Sequence, residues 1–245
     1  MEINKNPYFR KSIYLLVLMG LAVLFFGLYR NQNAQICNEV SIAIDAPIEQ
    51  QLITTPIIQD YLDEWFSGGL SGVQKKDLSL HIIEDKIENL PAVESAQVSF
   101  DLRGVMKIDI TQKVPIVRIY NGSTGGYYLG EDGSKIPVEG HEVARVPIAT
   151  GGFSQSMIKK VYTLAAYVHE NPFIKALTEQ IFVNKNRDLV LIPKIKNQRI
   201  IVGDTIDLDQ KFSKLQDFYT YGLNQVGWEK YKSVNLKYKN QIVCK

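Results

Sequence analysis

Hydrophobic and polar positions change rhythm several times along this chain. From Ile13 to Tyr29 the sequence IYLLVLMGLAVLFFGLY carries no charge in 17 residues. As a helix that run spans roughly 26 Å, and adding Phe9–Ser12 brings it to about the thickness of a bilayer. It is apolar on every side, unlike the one-sided stripe of a buried core helix. After a polar spacer, NQNAQICN at 31–38, Val40, Ile42 and Ile44 alternate with polar neighbours as in a half-buried strand. Two helical patterns follow. The first starts at Thr55-Pro56 and runs to Gly68-Gly69, and the second has Leu80, Ile83, Ile87 and Leu90 on one face and stops before Pro91. Ala96, Val98 and Phe100, then Met106, Ile108 and Ile110, alternate on either side of the turn sequence DLRG, the pattern of an antiparallel hairpin. The predicted order is strand, helix, helix, strand, strand, with both helices on one face of a three-stranded sheet over residues 39–114.

Beyond Pro115 the chain reads as short strands at 116–120, 127–129, 135–138 and 145–149, then a helix capped by Ser154 that ends at Asn171-Pro172. Strands resume at 180–183, 189–192 and 199–202, followed by a helix with Phe212, Leu215, Phe218 and Tyr219 on one face and a strand-like close, SVNLKYKNQIVCK. The fold class is therefore α+β: a single membrane-spanning helix, a small strand-helix-helix-strand-strand domain, and a mainly β domain with two helices over 115–245.

Charge fixes the expected topology. Lys5, Arg10 and Lys11 precede the apolar run and only Arg30 follows closely, so residues 1–12 stay in the cytoplasm and the roughly 215 residues after the run lie outside it. Tyr14 and Tyr29 suit the two interfaces. A cleaved signal peptide fits less well, because the run exceeds an ordinary signal core and no A-x-A site follows. The balance of 28 basic and 26 acidic residues leaves a net charge of +2, with no excess to bind nucleic acid.

Candidate chemistry is sparse. Cys37 and Cys244, one near each end of the exported part, supply no CxxC site, though a single bridge between them is open. His81, His141 and His169 lack metal-ligand spacing and read as solvent-facing. Gly69-Leu70-Ser71-Gly72 lacks the final glycine of a nucleophile elbow, since Val73 stands there. The glycine-rich stretch NGSTGGYYLGEDGSK leads into a strand rather than a helix, so it reads as two hairpin turns instead of a phosphate loop. No catalytic residue, metal, cofactor or small-molecule substrate is expected, which leaves a binding or scaffold role. Two rivals are a periplasmic factor for protein export or outer-membrane assembly and an anchored wall hydrolase. The first is disfavoured because such chains repeat the small domain or lead into a long barrel.

Leu90-Pro91-x-Val93-x-x-Ala96-x-Val98 and Lys107-Ile108-x-Ile110-x-Gln112-Lys113-x-Pro115-Ile116 resemble the FtsQ/DivIB cell-division family. Tyr127-Tyr128-Leu129-x-Glu131-Asp132-Gly133-x-x-x-Pro137, Ala144-Arg145-Val146, Val202-Gly203-Asp204 and Val234-Asn235-Leu236-Lys237-Tyr238 resemble its Bacteroidetes version. Lys113 departs from the arginine many relatives carry. The resemblance implies a POTRA domain at 39–114, a β domain after it, the inner membrane and division septum as location, and a non-enzymatic scaffold role in the divisome. It implies partners among the small single-span coiled-coil division proteins of the FtsB and FtsL kind. It also implies a docking strand at the C-terminus, with Leu236, Tyr238, Asn240, Ile242 and Val243 as partner-binding residues. From pattern alone that segment is a closing strand protected by its lysines. With the resemblance, its uncovered edge accepts a partner strand, and proline at Asn240 is expected to obstruct the ladder.

Overall fold

The computed structural model describes residue 11 and residues 14–25, 35–122, 125–138, 143–195 and 198–245. Residues 14–25 are helical with every side chain exposed. Among the described residues no helix is long and apolar enough to cross a membrane; of the expected span at 13–29, residues 13 and 26–29 lie outside them. The chain divides into two compact units. One comprises Met1–Asp45, Thr54–Leu90 and Ser95–Thr111, and the other Ala46–Ile53, Pro91–Glu94 and Gln112–Lys245.

The first unit contains β1 (Glu39–Asp45), α1 (Thr55–Trp65), α2 (Leu80–Glu88) and most of β2 (Val93–Phe100) and β3 (Val105–Gln112), of which Val93, Glu94 and Gln112 are assigned to the second unit. The order matches the expected one. Its sheet runs β1-β3-β2, with β1 parallel to β3 and Ile42 opposite Ile108. Strands that pair in parallel cannot be joined by a tight turn, and here α1 and α2 lie on the path from β1 round to the β2–β3 hairpin. Periodicity decides which face each helix hides: Ile58 and Leu62 of α1 and Ile83 and Ile87 of α2 are buried, as are Val98, Met106, Ile108 and Ile110 of the hairpin. Helix α1 is entered through Thr54, one residue earlier than expected, and no side-chain cap bond forms there.

The second unit holds β4 (Pro115–Ile119), β5 (Tyr127–Gly130), β6 (Lys135–Pro137), β7 (Ile148–Gly151), α3 (Gln155–Glu170), α4 (Pro172–Leu177), β8 (Thr178–Val183), β9 (Leu189–Pro193), β10 (Arg199–Gly203), α5 (Leu208–Asp217), α6 (Leu223–Val226), β11 (Ser233–Asn235) and β12 (Val243–Cys244). A π-helical turn at Phe218–Gly222 joins α5 to α6. These strands form one nine-stranded sheet, β12-β11-β10-β9-β8-β7-β4-β5-β6. It is mixed: β7 runs parallel to both β4 and β8, and β10 runs parallel to β11. Each helical stretch fills a crossover that a parallel pair requires, α3 and α4 between β7 and β8, and α5 and α6 between β10 and β11.

The helices cover one face of this sheet. Val161, Leu164, Ala165 and Val168 of α3 and Phe212 and Leu215 of α5 pack in one core with Ile181, Val183, Leu189, Leu191, Ile200, Val202 and Val234. Ser154 caps α3 as expected, its hydroxyl accepting from the Met157 N–H at 3.3 Å. Asn171-Pro172 does more than stop α3: the Asn171 side chain accepts from the Ile174 N–H at 3.2 Å and starts α4, a helix of six residues too short to show a period. The strand expected at 145–149 begins only at Ile148, because the Arg145 N–H donates to the Glu49 carbonyl at 2.8 Å instead of to a sheet neighbour. Within this unit Gln112 is buried, its Oε1 accepting from the Leu52 and Ile53 N–H groups at 2.6 and 3.0 Å and its Nε2 donating to the Gln50 carbonyl. A buried amide with donor and acceptor both satisfied is a specific fastening.

Candidate partner-binding edge

The C-terminal strand differs from the expected one. Alternation from Val234 to Tyr238 suggests one continuous strand, but β11 ends at Asn235, the chain turns over Tyr238–Asn240, and β12 returns antiparallel with Asn235 opposite Val243 and Val234 opposite Cys244. The outer strand of the sheet is therefore β12, and β11 is interior.

Three contacts make the turn. Leu236, fully buried, donates its N–H to the Ile201 carbonyl at 2.9 Å and so stays beside β10. Asn235 Oδ1 accepts from the Lys237 N–H at 3.0 Å, the local side-chain bond that Asn uses to end a strand. Lys214 of α5 reaches over and donates to the carbonyls of Tyr238 and Lys239 at 2.7 and 3.0 Å. The Lys237 ammonium meets both oxygens of Asp188 at 3.1 Å. Its stem passes so close to Gly203, whose φ is +81°, that a Cβ there would lie 2.7 Å from Lys237 Cγ. Two demands, a left-handed φ and the absence of a side chain, explain the glycine in Val202-Gly203-Asp204.

Of the expected partner-binding residues, Leu236 belongs to the core and has no surface to offer. Tyr238 is 49% exposed and Asn240 is exposed within the turn, so proline at Asn240 would meet no ladder. Ile242 and Val243 are half-buried at or beside β12. Cys244, which is not among those expected residues, is half-buried in β12.

The bonding pattern fixes where the Cys244 backbone points. Ser233 and Lys245 exchange both N–H···O bonds at 3.0 Å. Opposed residues of an antiparallel pair alternate between bonded and non-bonded pairs, so Val234 and Cys244 form a non-bonded one. The N–H and C=O of Cys244 thus point away from β11, to the outer edge. The Cys244 thiol lies against the core and its burial raises its pKa. Cys37 is also free, so the bridge left open above does not form. Deeper in, the Tyr219 hydroxyl donates to Gln198 Oε1, and burial pushes its ionisation well above the usual phenol range.

Among the described residues the other sites weighed from sequence bring no constellation together. His81 is exposed on α2, His169 is half-buried on α3, and His141 lies outside the described residues. Among the described residues no three His, Cys, Asp or Glu side chains gather as a metal ion would need.

The sequence model of the family described as FtsQ/DivIB, C-terminal related, matches residues 114–245. That is more than half of the chain and takes in all nine strands of the larger sheet. The chain belongs to this family. No curated protein matches it. For an FtsQ/DivIB-related chain, the matched region ends on the β11–β12 hairpin, so the edge described above lies within the part that defines the family.

Proposed function

We propose that this FtsQ/DivIB-related protein is a non-enzymatic scaffold of bacterial cell division, anchored in the inner membrane with its bulk in the periplasm. It links earlier and later division proteins and supports septal wall synthesis through protein–protein contacts. The reading rests on the family match together with one feature of the geometry: the Cys244 N–H and C=O at the edge of β12 face outward. A row of outward N–H and C=O groups is a template for an added strand. The occupant proposed is an extended segment of a small single-span coiled-coil division protein of the FtsB and FtsL kind. Its alternate side chains would fall beside Ile242 and Cys244 on the helix-covered face and beside Val243 on the other, which favours apolar residues there.

The strand-helix-helix-strand-strand order of the first unit, with β1 parallel to β3, supports reading it as a POTRA domain. Depletion is the test. Filamentous cells without septa, and midcell enrichment of a fluorescent fusion, are the expected results. Normal septation with loss of outer-membrane proteins would instead support the assembly factor and overturn the division role.

A further inference from the structure

The β2 strand ends the sheet of the first unit on one side. In its hairpin with β3, the Asp101 N–H donates to the Val105 carbonyl at 2.9 Å, so residues 97, 99 and 101 bond inward and residues 96, 98 and 100 turn their N–H groups outward. Two of these outward groups are occupied. Val98 donates to Glu84 Oε1 at 2.7 Å and Ala96 to Glu88 Oε1 at 3.0 Å. The other oxygen of Glu84 faces His81 Nδ1 at 3.8 Å.

The spacing explains the match. Glu84 and Glu88 are one helical step of four apart on α2, about 6 Å along the axis, and Ala96 and Val98 are two residues apart on a strand, about 6.8 Å. A helix alongside a strand edge can therefore present a carboxylate to each outward N–H in turn. Bonds from a backbone N–H to an ionised carboxylate are stronger than the neutral bonds of a ladder, so an incoming strand would have to displace better acceptors than it brings.

The same strand is self-complementary. Two β2 strands paired antiparallel about Gln97 would set Ala96 opposite Val98, Ser95 opposite Ser99 and Glu94 opposite Phe100, with no like charges facing. We propose that Glu84 and Glu88 seal the β2 edge against strand addition, and that the strand they exclude is β2 of a second copy of this chain. The inference goes beyond the reading of β12 and does not depend on it.

The test compares the full chain in detergent micelles with Glu84→Ala/Glu88→Ala and with Glu84→Gln/Glu88→Gln. A glutamine keeps an acceptor oxygen at the same reach, so the second variant should sediment as the native chain does. The alanine variant should dimerise as concentration rises. Adding Gln97→Cys should then yield a disulfide-linked dimer in the alanine background only, because Gln97 would face its copy in a non-bonded pair with Cα atoms about 4.5 Å apart. A folded alanine variant that sediments like the native chain at every concentration overturns the proposal. Should that variant not fold, hydrogen exchange in the native chain decides: at least ten-fold protection of the Ala96 and Val98 amides supports the seal, and free exchange refutes it.

Discussion

Ile82 and Ile87 sit five residues apart on α2, and the helix treats them oppositely: Ile87 is fully buried, whereas Ile82 is 51% exposed. Removing three methyl(ene) groups from a closed site loses their transfer energy and leaves a cavity, so Ile87→Ala should cost about 2 to 5 kcal/mol. Ile82→Ala should stay within about 0.5 kcal/mol of the native chain. Denaturant unfolding of the two variants checks the pair, and equal costs would mean that the burial of Ile87 contributes nothing. His169 on α3 makes the second residue-scale case. Burial, and next the neighbouring Lys175, hold its pKa below the ordinary 6.5, while Glu131 and Glu170 oppose this more weakly. The unfolded chain therefore takes up the proton first as pH falls. The stability that neutral His169 contributes is complete above the ordinary value and is lost as pH drops through 6.5 toward the lower folded value. The melting temperature should decline as pH is lowered from 7 toward 5, and His169→Gln should flatten that part of the profile. An unchanged slope in the variant would assign the decline to other groups.

Whole elements behave as their internal pattern predicts only where the pattern is long enough to be self-sufficient. Helix α3 was legible because a Ser154 cap and five apolar positions at helical spacing all agree. Helix α4 was not, since six residues carry too few positions to show a period. The C-terminal hairpin was read as one strand because Val234, Leu236 and Tyr238 alternate without a break. What breaks it is tertiary: Lys214, more than twenty residues upstream, holds the Tyr238 and Lys239 carbonyls, and the Asn235 side chain caps the end of β11. The direction of the ladders was hidden for a similar reason, as alternation gives a face and not a partner. The region of the candidate edge could thus be found from sequence and its geometry could not. That geometry supplies a sharper probe than proline at Asn240. Proline at Cys244 removes an outward N–H that no internal bond uses, on an edge strand where proline is tolerated, so the fold should melt within about 1 kcal/mol of native. Partner binding in a pull-down should be lost. Val243→Pro removes a donor that faces β11 and should instead loosen the hairpin, speeding amide exchange from Ser233 to Lys245. Full partner capture by the Cys244→Pro chain would move the docking surface off β12.

At the scale of the whole molecule the decisive asymmetry is between a chain of near-zero net charge and one uncharged run inside it. Residues 14–25 are helical, and Leu15, Leu18, Leu21, Leu24 and Phe25 are all more than 60% exposed. Apolar area left in water costs about 25 cal/mol per Å², so a helix with such side chains on all sides calls for a surrounding other than water. On the proposed anchoring a membrane would supply one, and the positive flank at Lys5, Arg10 and Lys11 would then select the orientation, with basic residues retained on the cytoplasmic side. Anchoring and orientation can be tested together. A reporter that is active only outside the cytoplasm, fused after Lys245, should be active. Replacing Leu18 and Leu21 with lysine sets two charges near the middle of the run, each costing about 2.5 to 3.5 kcal/mol on insertion scales. The doubly substituted chain should lose reporter activity and become extractable by alkaline carbonate. Changing Lys5, Arg10 and Lys11 to glutamate should leave the chain membrane-bound and lower reporter activity, because hydrophobicity holds the span while charge chooses its direction. Reporter activity unaffected by either set of changes would show that the run at 13–29 is not what carries the rest of the chain across.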